Sequence, residues 1–179
     1  MKAAKTKSVN MSFSALYSYV LNTNYRSFSG FSGILLSLVS LLVLIVKWTV
    51  LANNQRVALI VVALMFTVLN PLVLAFRTFK QLKTSPSYKL PLVYTFSDDG
   101  IFVSQGEQSQ NITWDMICRI LMTNKMLAIY TGRMHAFVIP LSELGQDRGK
   151  IITSVVQFTA AYKPHISSNL KRFVSGKGI

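Results

Sequence analysis

Acidic side chains are scarce. The 179 residues hold six Asp and Glu against 19 Lys and Arg, a formal net charge of +13, and no acid precedes Asp98. Few carboxylates are left to pair as general acid and base. Asp98 and Asp99 are adjacent in an Asp-Asp-Gly turn, where neighbouring side chains point apart and serve turn geometry. Cysteine is scarcer still. Cys118 stands alone, which excludes an internal disulfide and a cysteine-based metal cage, and suits a reducing cytoplasm. The two histidines, His135 and His165, are 30 residues apart with no third ligand beside them, so no metal site is expected. Ser142 lacks a base to activate it and reads as a helix cap. There is no Gly-rich phosphate loop and no dinucleotide fingerprint. Neither an enzyme activity nor a cofactor is expected.

What the chain has in quantity is apolar sequence. A spanning helix needs about 20 mostly apolar residues. From Ile34 to Val46, 11 of 13 residues are Leu, Ile or Val, and residues 57–76 carry no charge. At about −0.3 to −0.6 kcal/mol per apolar residue near a helix centre, the first run gains roughly −3 to −7 kcal/mol on insertion. Asn53, Asn54, Gln55 and Arg56 separate the two runs. The expectation is a transmembrane helical hairpin over 30–83, with spans at about 31–52 and 57–76. Lys47 snorkels to the headgroups and Trp48 anchors the interface. Arg26, Arg77, Lys80, Lys83 and Lys89 flank the outer ends, against Lys47 and Arg56 at the loop. The positive-inside rule then places both termini in the cytoplasm of a multi-pass protein.

Charge distribution argues against nucleic acid as a partner. Residues 1–83 carry nine Lys and Arg and no acid, while residues 84–179 carry ten against six. The excess is a basic collar beside the spans, which attracts anionic lipid at about 1 kcal/mol per charge. Within the hairpin, Gly33, Ser37 and Ser40 share one helix face and permit close packing on the second span or on another copy. Asn70 and Pro71 interrupt the second helix, and the Asn70 amide is expected to reach the serine face.

On either side of the hairpin the pattern changes. Residues 1–29 read as a polar, basic leader, disordered to Val9, with an interfacial helix capped by Ser12. Residues 84–179 form a small domain of strands at 92–96, 101–105, 110–113, 119–123, 126–130 and 135–139. A short helical turn is expected at 115–118, and a helix over 150–162 should close the sheet with Ile151, Val155, Phe158 and Tyr162. Tyr94, Phe96, Trp114 and Phe137 are its core candidates or groove lining. The fold class is α+β.

Several strings then resemble one family. Tyr94-Thr95-Phe96-Ser97-Asp98-Asp99-Gly100-Ile101, Ile112-Thr113-Trp114-Asp115 and Phe137-Val138-Ile139-Pro140 follow two spans, and a segment at 16–33 leads into the first. In order and spacing they resemble the YcxB-like proteins of bacteria. The resemblance implies a domain similar to bacterial pleckstrin-homology-like folds, with a bent sheet or half-barrel closed by a C-terminal helix. Six strands are counted where such a domain has seven, leaving one near 88–91 or a reduced barrel. It also implies the bacterial cytoplasmic membrane and no established enzyme activity. Two functions follow as expectations. One is a membrane-anchored cytoplasmic module that binds lipid headgroups or a membrane-protein partner. The alternative is an oligomeric small-solute transporter or channel component built on Asn70, Pro71 and the small-residue face.

Overall fold

The computed structural model describes residues 5–132 and 135–162. Pro164, His165 and the basic tail residues Lys171, Arg172 and Lys177 lie outside them. The chain forms two compact units, one of Tyr19–Gln81 and one joining the residues before Tyr19 to those from Leu82 onward.

The first unit is helical. Helix α1, Phe13–Arg26, starts where predicted, with Ser12 Oγ accepting from the Ala15 N–H at 3.3 Å. Ser27 caps α2, Phe28–Val46, by accepting from the Gly30 N–H at 3.1 Å. The helix ends six residues earlier than the span expected to reach about 52. Lys47 is the C-cap, and Trp48 lies in the turn that follows. Gln55 Oε1 accepts from the Ala52 N–H at 3.1 Å and opens α3, Asn53–Leu64. Pro71 was expected to interrupt this second helix. Instead a single wide turn, Met65–Leu69, precedes it, and α4 continues over Asn70–Thr84. The Asn70 N–H bonds back to the Met65 carbonyl, five residues away. One extra residue in the turn lets the chain carry a proline without breaking the 32-residue helical run.

The second unit is built on two antiparallel sheets, where one meander was expected. Their strands are β1 Lys5–Val9, β2 Leu92–Phe96, β3 Gly100–Gln105, β4 Gln108–Thr113, β5 Arg119–Met122, β6 Met126–Tyr130 and β7 Ala136–Pro140. The spatial orders are β1-β2-β3-β4 and β5-β6-β7. A seventh strand, β1, comes from the other end of the chain rather than from 88–91. Lys5 pairs with Phe96 and Val9 with Leu92, so the supposedly disordered leader contributes a sheet edge. Residues Pro86–Tyr88, near the expected place, form a short 3-10 turn. Burial shows the strand period: Thr6 and Ser8 are exposed, Lys7 is half-buried and Val9 is 1% exposed. Gly106 opens the β3–β4 hairpin at φ 58°, a conformation that disfavours a side chain.

Both sheets share one core with helix α5, Arg148–Tyr162. Ile151, Ile152 and Val155 are buried in it, and Phe158 stacks on Trp114 at 5.2 Å. Tyr162, expected on the same stripe, is exposed. Ser142 caps nothing. It lies inside the 3-10 segment Leu141–Asp147, which starts after Pro140 without a side-chain cap.

Candidate functional site

The described residues contain no group of three or more His, Cys, Asp or Glu side chains placed to hold a metal ion. Three surfaces remain: the seam between the apolar helices, the basic end of α4, and a groove in the strand unit.

Along the seam, α2 turns Gly30, Gly33, Ser37 and Ser40 inward, at the three- and four-residue spacing of one helix face. A side chain at Gly33 would run into the Phe66 ring. Ser37 Oγ donates to the Ala63 carbonyl at 2.7 Å and shares a hydrogen bond with Thr67 Oγ1. These contacts pair early α2 with late α3 and its following turn, so the helices run in opposite directions. Gly33, Ser37 and Ser40, expected on one packing face, are buried. The predicted reach of Asn70 is not observed: its amide donates to Asn24 Oδ1 at 3.3 Å, and Thr67 takes the serine instead. Position decides this, since Ser37 lies level with Ala63 and Thr67.

The outer surface of this unit is apolar. Leu35, Leu38, Leu42 and Ile45 on α2 are 53–66% exposed, and Val57, Leu64, Leu69 and Leu72 are 50–60% exposed. Two helices, Phe28–Val46 and Asn53–Thr84, are long and apolar enough to cross a membrane. At the loop, the Arg56 guanidinium lies 4.9 Å from the centre of the Trp48 ring. At the far end of α4, Arg77, Lys80 and Lys83 are exposed at three-residue spacing. At 100° per residue Lys80 and Lys83 fall opposite buried Leu74 and Thr78, Arg77 lies on the flank between the two faces, and Phe76 and Phe79 are exposed beside Lys83.

Trp114 does not line a groove. It is 1% exposed, and its indole N–H donates to the carbonyls of Ser97 at 3.3 Å and Asp98 at 3.0 Å. It fastens the Asp-Asp-Gly turn to the core, which gives that turn a structural task. Tyr94 and Phe96 are likewise core residues, stacked on each other at 6.4 Å. Burial pushes the Tyr94 phenol well above its ordinary value, and more weakly that of Tyr88. Phe137 alone of the four lines the groove, a depression of about 400 Å³ shared with Leu92, Val103, Gln105, Gln108 and Gln110. The register puts Gln105 opposite Gln108 and Val103 opposite Gln110, so these glutamines share the face of buried Val103 and Ile112, at its exposed end. Gln105 Nε2 is held by the carbonyls of Ser87 at 2.7 Å and Leu90 at 2.8 Å. Sequence reading named Phe137 as possible groove lining but missed the glutamines, polar residues at alternate positions where apolar ones would continue the core face.

Residues 96–151 match the family model of YcxB-like proteins. The match runs from the end of β2 to the start of α5, so it takes in the Trp114 anchor and the groove-lining Phe137, Gln105, Gln108 and Gln110. Strand β1 and the apolar helices lie outside it. No curated protein matches the chain.

Proposed function

We propose that the chain is a membrane-anchored binding module: a helical hairpin in the cytoplasmic membrane of a bacterium, carrying a YcxB-like domain at the cytoplasmic face. The observation that carries this reading is the β1–β2 ladder. Residues 5–9 pair with 92–96, so the segments flanking the helical unit must emerge on the same side of a bilayer. An even number of crossings satisfies this, and two apolar helices of opposite direction supply it. Their exposed Leu, Ile and Val surface greatly exceeds the few hundred Å² of contiguous apolar patch that a soluble monomer tolerates. The basic outer ends then orient both termini inward.

The helical run Asn53–Thr84 measures about 48 Å at 1.5 Å per residue, against a hydrocarbon core of about 30 Å. Its last turns therefore leave the bilayer, carrying Arg77, Lys80 and Lys83 at headgroup level with Phe76 and Phe79. Anionic phospholipid is the ligand this chemistry favours. Seven strands in two sheets with a C-terminal helix support the pleckstrin-homology-like reading of the domain. The transporter alternative draws no comparable support, because the seam hydroxyls are engaged in helix–helix hydrogen bonds.

The test uses the full chain in sealed vesicles with a tag at each terminus. Protease added to one side should remove both tags or neither; removal of one overturns the hairpin. Reversing Arg77, Lys80 and Lys83 to Glu should abolish enrichment of anionic over zwitterionic phospholipid around the reconstituted chain. Unchanged enrichment overturns the lipid reading and leaves a protein partner.

A further inference from the structure

The two sheets have four edge strands, and three of them are protected. β1 carries Lys7, which reaches Asp147 Oδ2 at 3.3 Å. β5 carries Arg119, stacked over Tyr130 at 4.0 Å. β7 ends in Pro140, which has no N–H to offer. Charge and proline are the devices that keep a sheet edge from pairing with another chain. β4, with the sequence Gln-Ser-Gln-Asn-Ile-Thr, has neither. Gln108, Ser109, Gln110 and Asn111 are all exposed, and among the described residues their side chains have no hydrogen-bond partner. The groove runs up to this strand, three of whose consecutive residues line it.

We propose that β4 pairs antiparallel with β4 of a second copy of this chain, across a two-fold axis, joining two four-stranded sheets into one. A strand meeting itself across a two-fold axis places like groups together, so any charge on it would face its own sign. β7 is uncharged too but ends in a proline; β4 is the edge with neither charge nor proline. Amide and hydroxyl side chains both donate and accept, so two identical strands satisfy each other. The rest of a chain of net charge +13 opposes a second copy; this strip does not. A six-residue edge buries far less than the roughly 1,200 Å² of a stable interface, so the pair is weak in free solution. Confinement to one membrane supplies the effective concentration, and in this respect the inference rests on the membrane reading.

Single-cysteine crosslinking of the full chain in native membranes tests it. Cys118→Ser removes the native thiol, and Ser109→Cys, Gln110→Cys and Asn111→Cys are then made one at a time, with Ser8→Cys on β1 as control. In a two-fold antiparallel pair only the residue at the axis meets its own copy within disulfide reach; one position away, Cα atoms are already about 8 Å apart. One of the three positions should therefore form dimer about fivefold or more above its neighbours and above the control. Even crosslinking at all positions, or none above the control, overturns the pairing. Cysteines at 109–111 shielded from maleimide but not crosslinked would assign the edge to a different protein, and also overturn it. Alkaline extraction of the same membranes reads the other claim separately. A chain retained without the sharp pattern loses only the pairing, and a chain released with the pattern intact loses only the membrane.

Discussion

The two units invert each other. In Tyr19–Gln81 the small and polar residues Gly33, Ser37, Ser40 and Thr67 meet at the seam, and Leu, Ile and Val face outward. In the strand unit Ile101, Ile112, Ile129, Ile139 and Trp114 are within, and Lys, Gln and Ser are without. The same side chains are sorted in opposite directions because the surroundings for which each unit is suited differ. Water drives apolar groups together; in lipid no such force acts between helices, and close approach with shared hydrogen bonds holds them.

Four substitutions sharpen this contrast. The largest effect belongs to Trp114→Ala, which empties the centre of the strand unit and releases the Asp98 turn. It should cost about 3–5 kcal/mol, read by denaturant unfolding of the domain's strand signal. Should it prove silent, the shared core is not what holds the two sheets together. The next effect depends on pH. Tyr94 is neutral and buried when folded, with its pKa raised, so an unfolded tyrosine loses its proton first as alkali is added. Its contribution is complete below about pH 10, the unfolded value, and is lost as pH climbs through the raised folded value. Tyr94→Phe should flatten the alkaline fall in melting temperature above pH 10, and an unaltered profile would assign that fall to other groups. The smallest effect is Ser37→Ala in the helix pair. About 0.6 kcal/mol, and at most about 1.7, is expected in detergent-titrated helix separation. Leu38→Ala, on the 54% exposed outer face, should change that separation less than Ser37→Ala does. The reverse order would mean that apolar burial, rather than the polar seam, binds the helices.

Most of the architecture was legible because period and composition are local signals. Two uncharged runs, a Gly-Glu turn and alternating strands at 92–96 and 126–130 are each readable within a few residues. Strand β1 was not, because five residues rich in Lys and Ser look like a tail until their partner is known. Its hydrogen bonds reach 89 positions along the chain, as the Thr6–Thr95 hydroxyl contact shows, and no window of sequence contains both halves. The Asn70 contact failed for a similar reason, since which polar groups lie level depends on where each helix begins. The groove needed the β3–β4 register before its glutamines could be seen to share one face with Val103.

Strand β1 also sets a schedule for synthesis. Among the described elements it leaves the ribosome first, yet its partner is finished some 90 residues later, at Phe96. At 5–20 residues per second that interval lasts roughly 5–20 s. Throughout it, Lys5–Val9 has nothing to pair with while the whole helical unit is made. Among the described strands β1 is made first, yet it waits for β2 before it can pair. The sheet cannot be completed until the ribosome has passed both helices, so a finished sheet certifies that they have been made.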